Sequence, residues 1–280
     1  MTTTFGEVAL LAVAAVWGAV AGVLLPRAAY RFSVALPPSG TDGEAGDDGA
    51  GADGEGPPVP GWRDRCPQGH PVRAWIGPAR CPRCAEDAGA DARPRGRAGS
   101  YGPGGALLAA VTAGLCAVLG FATGPRPELA VWLLLAPVGV LLAVVDLRVQ
   151  RLPDPLTLPF AATALALLGV AARLPEHAGD WTTALLASLA LSAGYLVLHL
   201  VNPGGMGFGD VKLALGAGAV LGWYGWPTVM LGTFTGFLLG ALYGGALLVA
   251  RKADRKTAVP FGPFLIAGAY VGLLLGAYTA

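Results

Sequence analysis

Residues 131–146 read VWLLLAPVGVLLAVVD, fifteen uncharged, mostly apolar residues that end on an aspartate. The low-charge stretch extends over 129–147, close to the roughly 20 residues that a helix needs to cross a bilayer. Similar stretches occur at residues 8–25, 103–121, 156–172, 182–201, 211–223, 229–250 and 260–278. The sequence therefore predicts an all-α polytopic membrane protein with about eight transmembrane helices, of which the sixth is short and rich in glycine.

The composition and the charge distribution agree with this prediction. Only 13% of the 280 residues are charged, whereas a soluble domain carries about 25%. The segment before the first span lacks Lys and Arg, and Arg27 and Arg31 follow the span, which is the reverse of a secretory signal. An outside N-terminus then puts 17 of the 19 Lys and Arg in the cytoplasm and only Arg126 and Arg173 outside, as the positive-inside rule expects. The lipid bilayer is an expected partner, and nucleic acid is not.

A polar cytoplasmic segment separates the first transmembrane helix (1–31) from a seven-helix catalytic membrane domain (103–280). Residues 32–61 are acidic, rich in Gly and Pro and poor in large apolar residues, so they cannot bury enough surface to offset chain entropy and are predicted to be disordered. Residues 62–85 contain three of the four cysteines, and residues 86–102 return to linker composition.

The cysteine-containing part reads CPQGHPVRAWIGPARCPRC over 66–84 and presents Cys66, His70, Cys81 and Cys84. Thiolates and imidazoles are the ligands that zinc prefers in tetrahedral structural sites. We predict a zinc-knuckle-like segment in which the protein fills all four positions. Ordinary free thiols and a redox pair are the alternatives, and a disulfide is disfavoured because the cytosol keeps thiols reduced.

Two aspartates are predicted to lie at the cytoplasmic ends of different helices. Asp146 lies about one turn from the border marked by Arg148 and Arg151, and Asp210 opens the sixth span. Charged groups in membrane spans are costly and usually face a bundle interior or a water-filled cavity. Two carboxylates that share a proton can activate water and protonate a scissile carbonyl. The alternative is structural: Asp146 pairs with one of the arginines, and Asp210 caps its helix.

The glycine-rich stretch GGMGFGDVKL (204–213) comes directly before and around Asp210. It fails the G-x-G-x-x-G pattern in either register, and a P-loop would need lysine where Asp210 stands. We interpret Gly207 and Gly209 as part of an irregular backbone, which at membrane depth is tolerated only when it lines a cavity or is buried in protein.

Three segments resemble the motifs of the type IV prepilin peptidases, membrane aspartic proteases related to archaeal preflagellin peptidases. DLRVQRLPDPLTLP (146–159) resembles the family's first catalytic motif. GMGFGDVKLALGAGAVLGW (205–223) resembles the G-x-G-D-x-K-L motif, and VPFGPFLIAGA (259–269) resembles the apolar stretch that opens the last span. All three occur in the order of the family.

The resemblance implies a catalytic pair of Asp146 and Asp210. It also places four residues of the matched motifs in supporting roles: Gly207, Gly209, Lys212 and Asp154. The implied substrates are prepilins or pseudopilins, which carry a basic leader and are cut at the cytoplasmic face of the bacterial inner membrane. The pilus or type II secretion assembly machinery would be an indirect partner.

The N-terminal part departs from the pattern of the bifunctional family members. Those members resemble methyltransferases, use S-adenosylmethionine and carry two C-x-x-C pairs, whereas Cys66-x3-His70 replaces one pair in this chain. Zinc binding survives this change, because His is as good a ligand as Cys. S-adenosylmethionine is implied as a cofactor only if methyltransferase activity is retained.

Two other classes of membrane protein share part of this pattern. Proteases of the presenilin kind also use a G-x-G-D aspartate but have Tyr-Asp on the preceding helix and a Pro-Ala-Leu motif, where this chain has Val145 and PFGPF. A cation transporter or channel could bind its ion with the two aspartates. Such proteins more often place their binding sites near the bilayer midplane, whereas these aspartates are predicted toward one face.

Overall fold

The computed structural model describes residues 5–34, 61–87, 99–203, 205–250 and 260–280. The predicted disorder of residues 32–61 therefore falls almost wholly outside the described residues. Most of the predicted linker 86–102 does so as well.

Nine α-helices form in the described part of the chain: α1 (Phe5–Phe32), α2 (Pro82–Asp87), α3 (Gly105–Thr123), α4 (Glu128–Val149), α5 (Asp154–Ala171), α6 (Trp181–Val201), α7 (Phe208–Gly222), α8 (Trp226–Val249) and α9 (Gly262–Thr279). Within these residues the only β-pairing consists of two isolated bridges, both next to α2. All helices except α2 and α7 are long and apolar enough to cross a membrane. The prediction of an all-α membrane fold is confirmed.

Helix α7 is the sixth predicted span, and it is shorter than the others. Its fifteen residues extend over only about 22 Å, less than the roughly 30 Å of a hydrocarbon core. Eleven of the fifteen residues are buried, because α5, α6, α8 and α9 all pack around it. Seven of the eight predicted spans thus reach spanning length, and the glycine-rich one is a short internal helix.

Small residues spaced four apart bring neighbouring helices into close contact. On α1, Gly18 and Gly22 face α3 so closely that a Cβ atom on Gly22 would lie 2.5 Å from the carbonyl oxygen of Leu108. The same spacing recurs at Gly218 and Gly222 on α7, at Gly232 and Gly236 on α8, and at Gly268 and Gly272 on α9. Such small-xxx-small faces drive helix association where lipid supplies no hydrophobic force.

The cysteine-containing segment packs against the end of α1. The Arg31 guanidinium donates to the carbonyl of Val72 at 2.8 Å and lies 3.9 Å from the ring centroid of Trp75. The backbone of Arg27 donates to the carbonyl of Gly77 at 3.0 Å, and the Gly77 amide donates to Leu24 at 2.7 Å. These contacts fix the segment at the end of the bundle where α4 ends and α5, α7 and α9 begin.

Candidate active site and metal centre

Asp146 lies in the last turn of α4 and is 4% exposed. The backbone amide of Gly262 donates to its Oδ2 at 3.0 Å. Gly262 is the first residue of α9, so this amide is one of the N–H groups that a helix N-terminus leaves unpaired, at the positive end of the helix dipole. Among the described residues Asp146 forms no ion pair with Arg148 or Arg151, so the structural alternative predicted for Asp146 is not found.

Asp210 is the third residue of α7 and is 6% exposed. Its Oδ2 accepts a hydrogen bond from the backbone amide of Gly207 at 3.2 Å. The capping role considered as an alternative is therefore present in the structure. This hydrogen bond uses only one of about four lone-pair positions of the carboxylate. Asp210 can therefore cap α7 and still act on a bound molecule.

Leu152 connects the surroundings of the two aspartates. A Cβ atom on Gly209 would lie 2.9 Å from the Leu152 Cβ, and one on Gly262 would lie 3.4 Å from the Leu152 Cδ1. Gly209 directly precedes Asp210, and the Gly262 amide binds Asp146, so both aspartates lie around Leu152. Two acids from helices that are far apart in the chain are thus brought into one buried site at the end of the bundle.

The two charged residues predicted to support the site bind each other. The Lys212 ammonium lies 2.5 Å from Asp154 Oδ1 and 4.9 Å from the ring centroid of Phe208. The ion pair joins the first turn of α5 to the second turn of α7 at the rim of the site. Within the described residues it is the only salt bridge.

An apolar cavity of about 500 Å³ lies beside the site, between α3, α4 and α9. Leu147 and Pro263 line it, and they directly follow Asp146 and Gly262 in sequence. The cavity therefore reaches the level of Asp146 in the bundle and continues along its apolar length, where it can accept an apolar segment of a bound molecule.

The predicted zinc ligands form a compact cluster at the surface of α1. The ligand atoms of Cys66, His70, Cys81 and Cys84 all lie within 4.8 Å of one another. The Cys66 and Cys84 sulfurs are 3.6 Å apart, and His70 Nδ1 lies 3.2 to 3.7 Å from the three sulfurs. A tetrahedral zinc ion requires S···S edges of about 3.8 Å and S···N edges of about 3.6 Å, given its usual bond lengths. The cluster could hold a metal ion and is compatible with zinc.

The chemistry of the thiols agrees with this geometry. All four cysteines are free of disulfide bonds, so the disulfide alternative is not found. Burial and the neighbouring thiols of Cys81 and Cys66 raise the pKa of Cys84 to about 12. Three thiols packed together cannot all ionise without a cation, and a bound metal would displace their protons.

We expect the purified protein to contain about one zinc ion per chain and Cys81→Ser to lose most of it, because three ligands hold a structural ion far less tightly than four. The measurement is metal content by mass spectrometry after gel filtration. Cys116→Ser is the matched control, because Cys116 is a buried cysteine of α3 outside the cluster. Equal zinc content in the two variants would contradict the assignment.

The sequence did not reveal two groups near the aspartates. The Gly262 amide belongs to the PFGPF motif, but the motif does not say that it binds Asp146. Tyr195 on α6 is 2% exposed and packs its ring against Phe261, which directly precedes Gly262. The signal in the sequence was a tyrosine in the otherwise apolar run GYLVL (194–198).

Comparisons with known proteins support the predicted resemblance. Residues 129–245, which include both aspartates, match the model of the type IV leader peptidase family. Three relatives carry the name prepilin leader peptidase/N-methyltransferase. They come from Aeromonas salmonicida (35% identity over 61% of this chain and 57% of the relative), Aeromonas hydrophila (38% over 51% and 49%) and Burkholderia pseudomallei (30% over 76% and 67%). The chain thus spans about half the length of the Aeromonas relatives. No solved structure matches the chain.

Proposed function

The chain belongs to the type IV leader peptidase family, and on that premise we propose that it is a membrane aspartic endopeptidase that removes the leader from prepilin-like or pseudopilin-like proteins. The observation that carries the proposal is the buried pair of Asp146 and Asp210, each held by a single backbone amide. The relatives' names support a peptidase and give no support to the cation transporter considered as an alternative.

The burial of both acids at one end of the bundle supports two-carboxylate hydrolysis. Two charged carboxylates in one buried site would repel each other. The pair would therefore keep one shared proton at a pH at which a single exposed acid has already lost its own. The charged member then takes a proton from a water molecule as that water attacks the scissile carbonyl carbon. The protonated member gives its proton to the carbonyl oxygen. The amides of Gly262 and Gly207 fix the carboxylate orientations.

The apolar cavity, which is lined by Leu147 and Pro263, supports a substrate in which an apolar segment adjoins the cleaved bond. The leader, being basic in the family that this chain resembles, would remain at the polar end of the bundle. The positive-inside pattern of the sequence supports an orientation in which this end faces the cytoplasm at the bacterial inner membrane.

The Cys66, His70, Cys81 and Cys84 cluster would hold a structural zinc ion that stiffens the segment packed on α1. Zinc in such a closed site supplies folding free energy rather than a catalytic position. This segment would either hold the cytoplasmic loop against the bundle or position the substrate leader. The proposal does not include the N-methyltransferase activity in the relatives' names, because Cys66-x3-His70 replaces one C-x-x-C pair of the bifunctional pattern in this chain.

Cleavage of a prepilin by the purified protein tests the proposed function. The protein in detergent micelles is mixed with a prepilin from the same organism, and the product is followed by mobility shift and its new N-terminus by mass spectrometry. We expect a single cut between the leader and the apolar segment. Uptake of a labelled cation into vesicles that contain the protein, without any cleavage, would contradict the proposal.

A further inference from the structure

The Tyr195 hydroxyl is a buried hydrogen-bonding group without a partner in the described structure. Tyr195 is 2% exposed, and its Oη forms no hydrogen bond there. Burying a hydroxyl without an acceptor or donor costs free energy, because the group gives up its bonds to water. Phenylalanine would fill the same space without this cost. Tyrosine is therefore favoured at this position only if its hydroxyl binds an acceptor in some state of the protein, such as the complex with a substrate.

The packing of α6 against α7 places Tyr195 beside the turn that carries Asp210. The Ser192 hydroxyl donates to the carbonyl of Val211 at 2.9 Å, and His199 Nδ1 donates to the carbonyl of Met206 at 2.8 Å. On α6, Tyr195 lies between Ser192 and His199. It is therefore opposite the residues between Met206 and Val211, which include Asp210. It therefore faces the start of α7 rather than lipid.

The Tyr195 ring also packs against the segment that holds Asp146. Its centroid lies 5.9 Å from that of Phe261 and 5.7 Å from that of Phe237, and these two phenylalanines are 5.1 Å apart. Phe261 directly precedes Gly262, whose amide binds Asp146. One side chain thus packs its ring against the Asp146 side of the site and faces the start of α7, where Asp210 lies.

We propose that Tyr195 is a further catalytic residue, whose hydroxyl donates a hydrogen bond to a backbone carbonyl oxygen of the peptide bound between the two aspartates; this rests on the proposed peptidase function. A peptide backbone supplies the acceptor that the hydroxyl lacks. The carbonyl oxygen gains negative charge as water attacks, and a fixed donor in a dry site stabilises that charge. The donor keeps its proton throughout, so the two-aspartate proton balance is unchanged.

The test is Tyr195→Phe in the full-length protein, with a prepilin as the substrate. We expect kcat/KM to fall about 100-fold, the lower end of the range for loss of one such donor. We expect the melting temperature in the same detergent to stay equal or rise, because the variant removes a hydroxyl without a partner. The pH profile should keep its shape, since Tyr195 acts on the substrate and not through Asp210.

Tyr224→Phe is the matched control, because the Tyr224 hydroxyl accepts a hydrogen bond from the indole N–H of Trp132 at 3.2 Å and lies beyond the C-terminal end of α7, away from the two aspartates. It should lower the melting temperature and leave kcat/KM unchanged. Unchanged kcat/KM in Tyr195→Phe, a melting temperature lowered as in the control, or a displaced pH profile would each overturn the assignment of Tyr195. Failure of the wild-type protein to cut would instead overturn the proposed function.

Discussion

Asp146→Asn and Asp210→Asn should each abolish prepilin cleavage while the protein still accumulates and folds. Asparagine keeps the size of the side chain, and its Oδ1 can still accept the amide of Gly262 or Gly207. It can neither take a proton from water nor donate one as an acid, and general acid–base catalysis contributes about 10² to 10⁴ in rate. Since both roles are required in one step, each single variant should reduce the rate by at least about 10³-fold.

The measurement is the rate of mobility shift of a purified prepilin at matched enzyme concentrations. Asp180→Asn is the control, because Asp180 caps α6 through the Thr183 amide at the other end of the bundle, and asparagine is an equally good cap. It should cut at the wild-type rate. Wild-type cleavage by either of the first two variants would show that the corresponding aspartate only caps or braces its helix, and the shared-proton pair would be abandoned.

Hydropathy was enough to predict most of the fold. Each long apolar run became one helix, because a chain in lipid must satisfy its backbone hydrogen bonds within each segment. The length of an apolar run does not indicate that α7 is enclosed by other helices. This enclosure depends on the glycines of α7, α8 and α9 that lie at helix contacts. Their four-residue spacing is visible in the sequence, but the helix that each of them contacts is visible only in the structure.

The two parts of the site differed in how far the sequence predicted them. The grouping of Cys66, His70, Cys81 and Cys84 was predictable, because these residues lie within nineteen positions and one local segment brings them together. The aspartate pair was predictable as residues but not as geometry. The Gly262 amide that binds Asp146 comes from 116 residues further along the chain, and no local spacing encodes such a contact.

The docking of the cysteine-containing segment was also beyond the sequence. Arg27 and Arg31 were interpreted only as positive charges at a membrane border. In the structure their guanidinium groups donate to backbone carbonyls of that segment. Arg27 and Arg31 can therefore both favour a cytoplasmic location through their charge and hold the segment against α1 through hydrogen bonds. Charge alone, which is what the sequence shows, indicates only the first of these roles.

Gly262→Ala should reduce kcat for prepilin cleavage about 10- to 100-fold with little loss of stability. A Cβ atom at this position would lie 2.7 Å from Asp146 Oδ2 and 3.1 Å from its Cγ. The first distance is shorter than real Cβ contacts, so the carboxylate must move and its hydrogen bond from the Gly262 amide must lengthen. Displacing a reacting group by about 1 Å can cost about 10²-fold in rate. Alanine is otherwise favourable in a helix, so α9 itself should form normally.

Two other glycine variants separate this local effect from a general one. Gly245→Ala in α8 meets no atom within 4 Å and should change neither rate nor stability for the worse. Gly268→Ala would press its Cβ against the backbone of Gly232, so it should lower the melting temperature while each folded molecule still cuts at the wild-type kcat. If Gly262→Ala instead behaves like Gly268→Ala, with stability lost and kcat kept, then the amide of Gly262 only braces α9 against α4 and does not orient Asp146 for catalysis.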